Sequence, residues 1–534
     1  MYFCEMLIKH IIILLTMIGT LAATERPYWV FLEQETGSEV VQITSRAENR
    51  LQIRGAKHPP GNYAVSEHQL AQLRATGFRF RHVSRFLNAV SVNIDDDEQL
   101  QNLSNLPFVQ SIKPVARRPL DRTESTSNAY HLQKSTADGY GASTTQNEVL
   151  HIPLIHSRGF DGSGVLVGVF DTGFLTDHEV FQNLDIEAQY DFIDGEPDAS
   201  GLGHEHGINV LSVIGGYSPD QLIGPAHKAS YLLARTEDEY SESRAEEDNW
   251  VAALEWADSL GVDIVTSSLN YFDEFDDPNE NYPASALDGQ TTICARAANI
   301  AAQRGILIVN SAGNEGPGVS SLWPPADSPN VLAVGSVNQQ NNISYFSGRG
   351  PTFDGRIKPD VVAQGSAVFM ATSVTGYKYG NGTSFSAPQV AGLAALLLQA
   401  HPSLTPDSVI SIFQDAGDKS DAPDNSYGWG VPDLTGYFTK QHSSSLRNCT
   451  VYPNPASALD VFMVLPSPIA DEIVSGQLYD IRGRYVGSLD ISPVSNAKLM
   501  IGMPRDRYME DQLFIISVQA GNNHYSGKMV YIKK

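Results

Sequence analysis

The pattern of apolar and polar positions divides the chain into three regions, each with a different predicted structure. In the first, residues 24–120, the segments YWVFLEQ and LNAVSVNI alternate as strands do, and HQLAQLRATG has helical spacing that ends at a glycine. These segments predict a small α+β unit. Residues 121–144, which follow, have few apolar positions and many Ser and Thr, so they predict an exposed linker, where proteolysis concentrates.

Strands and helices alternate through the second region, residues 145–438. The run GVLVGVF is continuously apolar, as in a buried parallel strand, and WVAALEWADSLG has helical spacing and leads directly into the strand VDIVTSSL. This βαβα order predicts an α/β fold, in which helices cover both faces of a parallel sheet. Ligands in such folds bind at the carboxyl ends of the strands, so the residues there are the candidates for chemistry.

Short strand-like segments, separated by turn residues, fill the third region, residues 448–534. LDVFMVL, LFIISVQA and KMVYIK are examples. Their spacing predicts an all-β sandwich. The fold class expected for the chain is therefore α/β, preceded by a small α+β unit and followed by a β-sandwich.

The first 23 residues predict a secretory signal peptide. Two basic residues, Lys9 and His10, precede an apolar run from Ile11 to Leu21, and small residues follow it up to Ala23. The alternative is a transmembrane anchor, but the run is shorter than the ~20 residues that a spanning helix needs. We therefore expect a protein that is secreted or held at the cell surface.

Charge and cysteine content argue against a nucleic-acid partner and against a structural disulfide. The chain has 61 acidic and 36 basic residues, whereas nucleic-acid binding needs a basic face, so we expect no nucleic-acid partner. Loss of the signal peptide would leave Cys294 and Cys449, which lie in different predicted regions, so we expect no structural disulfide. Cys294 has helical spacing among apolar residues and is predicted to be part of the core.

Three reactive residue types occur where predicted strands end or helices begin. GVLVGVF ends at Asp171, His206 precedes an apolar helical segment, and Ser384 opens a long apolar helix with Pro388 expected in its first turn. Each position alone has an ordinary explanation, namely a turn aspartate, a loop histidine and an N-cap serine. A serine hydroxyl becomes a nucleophile when an imidazole accepts its proton, and a buried carboxylate orients that imidazole. Together the residues predict a catalytic triad.

Asn314 is a fourth candidate for the same site. It lies in the glycine-rich segment ILIVNSAGNEGPG, after another predicted parallel strand. Its amide could donate to an oxyanion, as could backbone N–H groups at the start of the helix that Ser384 opens. The structural alternative is an asparagine that serves only the turn.

These motifs, in chain order, resemble those of one enzyme family. DTG, HG, NSAGNEG and GTSFSAP closely resemble the motifs of the subtilisin-like serine proteases, the subtilases, as does FSGRGPTFDGRIKPDVVAQGS. The resemblance covers roughly residues 145–435. It implies a subtilisin-like sheet and a secreted serine endopeptidase that forms an acyl-enzyme intermediate. Polypeptide substrates and no required cofactor or catalytic metal are implied as well.

The resemblance also implies a role for each matched residue. Asp171, His206 and Ser384 match the triad, and Asn314 matches the asparagine of the oxyanion hole. The residues that match the family's substrate-binding segments are Ser267, Ser268, Leu269 and Gly313. The first three belong to a strand that pairs with an extended peptide.

The chain departs from the family pattern near these positions. Ile208 and Asn209 replace the usual Thr and His of the HGTHVAG motif. Asn270 stands where the substrate-binding strand usually has glycine, and Gln364 stands where a proline is usual. No triad position is lost, so we expect catalysis to be retained and the shape of the substrate pocket to differ.

The flanking regions resemble parts of exported subtilases. RFLNAVSVNI and LSNLPFVQSIKPVARR resemble their propeptides, which implies that residues 24–120 assist folding and then inhibit the enzyme within the same chain. The strand that ends at IKPVARR could deliver the linker to the edge at Ser267–Leu269 as an extended peptide.

The third region resembles the C-terminal sorting domains of type IX secretion cargo, on the segment Val451-Tyr452-Pro453-Asn454-Pro455 and the piece LYDIRGRYV. The resemblance implies the secretion machinery as a partner. The alternative is an accessory β-sandwich that binds carbohydrate or a cell surface.

Other chemistries fit the sequence less well. His204-Glu205-His206 lacks the H-E-x-x-H spacing of a zinc protease. The sequence also lacks the G-x-S-x-G motif that is typical of lipases and esterases. The acidic segment DEFDDPNE could ligate structural calcium or be a solvated charge run. The competing function is a catalytically inactive subtilase-fold protein that binds a surface. The intact Asp, His, Ser and Asn set favours the enzyme.

Overall fold

The computed structural model describes most of the chain between residues 26 and 531. The described ranges are 26–115, 117–118, 139–438 and 447–531, with gaps at 36–37, 58, 95, 201–204, 238–241, 244, 273–280, 373–374, 453–459, 465–472, 481–484, 496–497, 503–511 and 521–522. The predicted signal peptide and most of the predicted linker lie outside them. Among the described helices, none has the length and hydropathy of a membrane-spanning segment. The chain divides into two units, Met1–Phe438 and Thr439–Lys534.

Residues 26–118 form an N-terminal lobe with α+β structure. Its elements are β1 (Arg26–Leu32), α1 (Ser45–Arg54), α2 (Glu67–Ala75), β2 (Phe80–Ser84), β3 (Ala89–Ile94), α3 (Asp97–Ser104), β4 (Val109–Pro114) and β5 (Arg117–Arg118). The first four strands form an antiparallel sheet in the order β2-β3-β1-β4. The N-caps of the three helices are Thr44, Ser66 and Asp96, whose side-chain oxygens accept from backbone N–H groups of the first turn.

Both faces of β1 are buried, because its side chains alternate between two cores. Val30 and Leu32 pack within the lobe itself. Trp29 and Phe31 point the other way and pack with residues of the central region, Trp250 among them. The lobe and the central region therefore share one buried face.

The central region, residues 139–438, contains twelve of the described strands. They are β6 (Leu166–Asp171), β7 (Asp185–Asp191), β8 (Tyr217–Ser218), β9 (Leu222–Ile223), β10 (Ser230–Arg235), β11 (Glu242–Ser243), β12 (Ile264–Ser267), β13 (Leu307–Ser311), β14 (Val331–Val337), β15 (Val361–Gln364), β16 (Val368–Ala371) and β17 (Tyr377–Gly380). Seven of them form the central parallel sheet in the order β15-β14-β13-β12-β6-β10-β7.

Helices lie on both faces of this sheet. The helices of the region are α4 (Thr144–Val149), α5 (Ile152–His156), α6 (His206–Gly215), α7 (Ala245–Leu260), α8 (Ile293–Gln303), α9 (Thr383–Ala400) and α10 (Pro406–Asp415). Val167 and Val169 of β6 pack with α6 and α9, whereas Leu166 and Phe170 pack with α7 and α8. Because both faces are covered, the strands are continuously apolar rather than alternating. The predicted α/β fold is confirmed.

The C-terminal unit is strand-rich. Its described strands are β18 (Arg447–Asn448), β19 (Thr450–Tyr452), β20 (Asp460–Val464), β21 (Ile473–Asp480), β22 (Tyr485–Ser488), β23 (Asp490–Ser495), β24 (Lys498–Gly502), β25 (Gln512–Ala520) and β26 (Asn523–Tyr531). They form two mainly antiparallel sheets, β18-β26-β25-β21-β22 and β19-β20-β24-β23. Val461 and Ile501 of one sheet share a core with Leu478 and Phe514 of the other, as in a sandwich.

The two cysteines among the described residues are buried. Cys294 lies in α8 and Cys449 beside β19. Burial raises the pKa of the Cys294 thiol well above its ordinary value, so the reactive thiolate is disfavoured. Cys294 packs as a small core residue, as its helical spacing predicted.

Candidate active site

Asp171 and His206 form a hydrogen-bonded pair at the carboxyl edge of the central sheet. Asp171 is the last residue of β6 and is fully buried, and His206 is the first residue of α6. The His206 Nδ1 and Asp171 Oδ1 atoms lie 2.7 Å apart. Because a carboxylate only accepts hydrogen bonds, Nδ1 is the donor, which leaves Nε2 as the imidazole atom that can accept a proton.

The Asp171 carboxylate is held through one of its two oxygens. Oδ1 also accepts from the Thr172 backbone N–H, at 2.8 Å, and from the Thr172 hydroxyl, at 3.2 Å. Oδ2 is buried and has no hydrogen-bond partner among the described residues. The carboxylate is therefore fixed in orientation but incompletely satisfied, which is uncommon for a buried charge and is typical of functional sites.

Two glycines explain the sequences around this pair. Gly173 has a φ of 137°, a conformation that side chains disfavour. Gly207 approaches the Gly173 carbonyl so closely that a Cβ added at position 207 would lie 2.2 Å from that oxygen. The Gly207 N–H also donates to the Thr172 hydroxyl, at 3.3 Å. The DTG and HG motifs are thus one packed unit in which only glycine fits after His206.

Ser384 lies inside the first turn of α9. The helix begins at Thr383, and Gly382, which has an extended backbone, is its N-cap. The explanation of Ser384 as an N-cap is therefore wrong, because the residue is already helical. Phe385, the next residue, packs its ring against the His206 ring with centroids 5.9 Å apart, so the first turn of α9 lies against the imidazole.

Pro388 accounts for a further contact of Ser384. It is the sixth residue of α9 and lies in the second turn, not in the first turn as predicted. Proline has no N–H, so it cannot make the helical hydrogen bond to the carbonyl four residues earlier, which is that of Ser384. That carbonyl accepts instead from the Ser268 hydroxyl, at 3.0 Å. The start of α9 is thereby tied to the segment that follows β12.

Asn314 follows β13 and contacts the start of α9. Its Oδ1 accepts from the backbone N–H and from the hydroxyl of Thr383, both at 3.0 Å. These bonds fix the carboxamide and leave Nδ2 as its donor group. An amide donor beside the helix turn that carries Ser384 is what an oxyanion hole requires.

The four predicted substrate-binding residues lie at the ends of two neighbouring strands. Ser267 is the last residue of β12, and Ser268 and Leu269 follow it. Gly313 follows β13, which pairs in parallel with β12. The Ser267 hydroxyl accepts from the Trp250 indole N–H, at 3.1 Å, so this side chain points into the core. Any role of Ser267 toward a peptide would therefore fall to its backbone.

Family models match both the central region and the N-terminal lobe. The model of the subtilase family, Peptidase_S8, matches residues 162–430, about half of the chain. The chain belongs to the subtilase family. A second model, the peptidase S8 propeptide domain of Bacteroidota, matches residues 27–131.

Curated relatives of this subtilase include several subtilisins. Subtilisin BL of Lederbergia lenta is 33% identical over 252 residues, which are 47% of this chain and 82% of the relative. Subtilisin E of Bacillus subtilis (strain 168) is 27% identical over 328 residues, 60% of this chain and 73% of the relative. Among solved structures, the proteases from Pseudoalteromonas arctica PAMC 21717 match at 23% identity with a TM-score of 0.46, over 57% of this chain and 98% of that chain. The family and the subtilisin relatives make this subtilase a serine-type endopeptidase.

The departures of this subtilase from the family pattern take part in packing. Ile208 is fully buried in the core. Asn209, in place of the usual histidine, donates from Nδ2 to the Ala371 carbonyl at 2.7 Å. Gln364, in place of proline, donates from Nε2 to two backbone carbonyls of the following loop, both at 3.1 Å. Asn209 and Gln364 therefore stabilise backbone segments around the site.

Sequence reasoning missed the residues that support the predicted site. Thr172 binds Asp171, and Thr383 binds Asn314. The signal was present, since these threonines belong to the DTG and GTS motifs. The contact of Ser268 with the Ser384 carbonyl joins residues 116 positions apart, so no local pattern could indicate it.

The end of the N-terminal lobe pairs with a short strand of the central region. Arg117–Arg118 (β5) pairs antiparallel with Glu242–Ser243 (β11). The reason is proximity, because β11 directly precedes α7, and the lobe packs its sheet against α7. The linker residues 119–138, which were predicted to reach Ser267–Leu269, lie outside the described residues, so that pairing stays a prediction.

Metal-ligating side chains are not clustered in the part of the chain that the structure describes. No group of three or more His, Cys, Asp or Glu residues there could hold a metal ion. His204 and the acidic segment 273–280 fall in undescribed gaps. Structural calcium at that segment stays a prediction.

Proposed function

We propose that this subtilase cleaves peptide bonds through a triad in which Ser384 is the nucleophile, His206 the general base and Asp171 the carboxylate that orients the base. The observation that carries the proposal is the 2.7 Å hydrogen bond between His206 Nδ1 and Asp171 Oδ1. The packing of Phe385, the residue after Ser384, against the imidazole supports a common site for nucleophile and base. Subtilisins carry out their catalysis with these residue types in this chain order.

Acylation of the enzyme follows from this arrangement. His206 Nε2 accepts the Ser384 hydroxyl proton while Oγ attacks the peptide carbonyl carbon and the C=O π electrons move to the oxygen. The tetrahedral intermediate then expels the amine, which takes the proton from His206. The products of this half-reaction are a free amine and an acyl ester on Ser384.

Deacylation repeats the sequence with water as the nucleophile. His206 removes a proton from water, the hydroxide attacks the ester, and Ser384 leaves with the proton that His206 returns. Asn314 Nδ2 stabilises the oxyanion in both half-reactions. The positive end of the α9 dipole adds to this stabilisation, because Ser384 lies in the first turn of that helix.

Replacement of one hydroxyl tests the proposal. Ser384→Ala should lose nearly all peptidase turnover, leaving only a small rate above water. Ser386→Ala is the matched control, because Ser386 lies two residues further along α9 and its buried hydroxyl has no hydrogen-bond partner among the described residues. An acyl-directed serine inhibitor should label the parent and Ser386→Ala proteins at position 384. Normal cleavage by Ser384→Ala would contradict the triad.

We propose that the N-terminal lobe is a propeptide that remains bound after cleavage and inhibits the enzyme until it is degraded. The match to a propeptide family model and the antiparallel pairing of β5 with β11 support this role. Cleavage is expected between Arg117 and Tyr140. The Ser384→Ala protein should accumulate as the longer precursor, while the parent loses its lobe, and N-terminal sequencing of both would decide. Identical termini near Thr24 together with full activity would contradict the propeptide.

We propose that the C-terminal unit directs type IX secretion of a protein that is released or held at the cell surface. Its strand-rich fold and its resemblance to sorting domains support this role, although residues 453–459 and 481–484 of the motifs lie outside the described part. Deletion after about residue 445 should keep peptidase activity and block passage across the outer membrane in a host with the matching machinery. Equal secretion of both forms would favour a binding module instead.

A further inference from the structure

We propose that Asn270 closes the pocket for the P1 side chain, the substrate side chain on the acyl side of the scissile bond. This subtilase would then accept small uncharged P1 residues and reject large ones. The specificity rests on the proposed function, because Ser384 and Asn314 place the substrate. It adds the class of peptide that the site cleaves.

Two neighbouring strand ends bound the space that a P1 side chain enters. The reacting carbonyl lies between the Ser384 hydroxyl and the Asn314 amide. Asn314 follows β13, whereas Ser268, which binds the Ser384 carbonyl, follows β12. Because β12 and β13 are paired, the substrate residue at that carbonyl directs its side chain between the two segments that follow them.

The Asn270 side chain spans this space. Its Nδ2 donates to the Ser311 carbonyl at 3.1 Å and to the Trp323 carbonyl at 3.2 Å. Its Oδ1 accepts from the Ser311 hydroxyl at 3.3 Å. The carboxamide thus links the end of β12 to the end of β13 and to a loop 53 residues further along the chain.

The Asn270 amide lies close to the Gly313 backbone. A Cβ added at Gly313 would lie 3.6 Å from Asn270 Oδ1 and 3.8 Å from the Ser321 carbonyl, which are ordinary van der Waals distances. A methyl-sized group at the Gly313 backbone would therefore already contact the Asn270 amide. An alanine or serine side chain therefore fits, whereas leucine or phenylalanine would have to displace the amide.

The wall that Asn270 forms is anchored on both sides. The Tyr271 N–H donates to the Pro324 carbonyl at 2.9 Å. The Phe272 and Trp323 rings pack with centroids 5.9 Å apart. Displacing the Asn270 amide would therefore break its hydrogen bonds to the end of β13 and to the Trp323 loop, a cost that a large substrate side chain must meet.

The same hydrogen bonds decide the polarity of the pocket. A carboxamide has two N–H donors, and both are used by the Ser311 and Trp323 carbonyls. What Asn270 presents toward Gly313 is the carbonyl oxygen Oδ1. That oxygen offers no donor to a substrate carboxylate and repels it, so acidic P1 residues are disfavoured along with large ones.

The test compares peptide substrates that differ only at P1, cleaved by the processed full-length enzyme. The parent should cleave Ala at P1 with a kcat/KM about tenfold or more above that for Leu or Phe. Asn270→Gly should raise kcat/KM for Leu by about tenfold and leave that for Ala little changed. Asn270→Ala removes the amide without the added backbone freedom of glycine, and it should shift the preference in the same direction. Asn341→Gly, the same substitution in an exposed turn with a φ of 59°, should keep the parent profile.

Two results would overturn this role of Asn270. One is a parent enzyme that prefers large P1 residues, and the other is an unchanged P1 profile in both Asn270 variants. Labelling of Ser384 by the acyl-directed inhibitor keeps the two proposals apart. A labelled, active enzyme with the wrong P1 profile contradicts the pocket and leaves the triad intact, whereas an unlabelled, inactive parent contradicts the triad.

Discussion

The two edges of the central sheet both centre on buried aspartates, which are satisfied in different ways. At the carboxyl edge, Asp171 binds the imidazole of His206 and keeps one oxygen without a partner among the described residues. At the amino edge, Asp263 lies just before β12, and its two oxygens bind the guanidinium groups of Arg46 and Arg54. It also accepts from the backbone N–H that begins β6, at 2.9 Å.

The arginines of the amino edge come from one face of lobe helix α1. Arg46, Arg50 and Arg54 are spaced four residues apart, so they project together. Arg50 binds the Asp258 carboxylate and donates to backbone carbonyls at the ends of α7 and α8. The last carbonyls of a helix lack partners within it, so α1 caps two helices of the central region.

The comparison shows what separates an anchor from a reactive site. Burial alone would raise the pKa of the Asp263 carboxyl, but Arg46 and Arg54 hold that pKa below its ordinary value. The carboxylate therefore stays ionised, and the two guanidinium groups neutralise its charge. The partner of Asp171 is an imidazole instead of a guanidinium. In the proposed triad, that imidazole accepts the proton and returns it.

The same substitution at both edges gives the largest contrast. Asp171→Asn should lower kcat by about 10⁴-fold, because the amide favours the wrong imidazole tautomer. Asp263→Asn should leave the kcat of processed enzyme unchanged, because that edge takes no part in the chemistry. Steady-state kinetics on both variants would show it. Equal losses at the two edges would remove the distinction between anchor and reactive site.

Arg50→Ala should give the next largest effect, on stability rather than rate. It removes a buried partner of Asp258, and such a loss costs about 3 kcal/mol. Urea unfolding of the Ser384→Ala precursor measures it. Arg74→Ala is the control, because the Arg74–Glu67 pair is exposed and is worth about 0–1 kcal/mol. If the two variants unfold at the same urea concentration, the contacts of Arg50 do not stabilise the central region.

Asn314→Ala should affect the carboxyl edge alone. Loss of one oxyanion donor lowers kcat by about 10²–10³-fold, with substrate binding little changed. Because the substitution also removes the acceptor of the Thr383 N–H and hydroxyl, at a cost of about 1–3 kcal/mol, kcat is measured at a temperature at which the variant stays folded. A rise in KM with normal kcat would assign Asn314 to ground-state binding instead.

The smallest predicted effect is a pH dependence of the amino edge. Burial would raise the pKa of Asp258 and Asp263, but their arginine partners hold both pKa values below the ordinary one. Such groups add stability above the unfolded pKa and lose it as the pH falls through the folded one, a window below about pH 4. The melting temperature of the Ser384→Ala precursor should fall there. Asp263→Asn should flatten that decline, and a parallel decline would contradict the role of Asp263.

The sequence alone determined the fold class and the identity of the candidate site. Continuous apolar strands can only be buried on both faces, which required helices on both sides of the sheet. The DTG and HG motifs owe their glycines to local geometry, since a side chain at position 207 would collide with the Gly173 carbonyl. Constraints of this kind act within a few residues and are therefore visible in a motif.

The tertiary structure alone decided the contacts between distant segments. The sequence left an N-cap role for Ser384 open, but the structure gives that position to Gly382. Because Pro388 has no N–H, the Ser384 carbonyl accepts from the Ser268 hydroxyl instead. The arginines of α1 have no sequence signal, because their partners lie more than 200 positions away. Asn270 was noted as a departure, but its closure of the pocket depends on carbonyls of two other segments. Backbone carbonyls exist at every residue, so only the fold determines which of them a side chain meets.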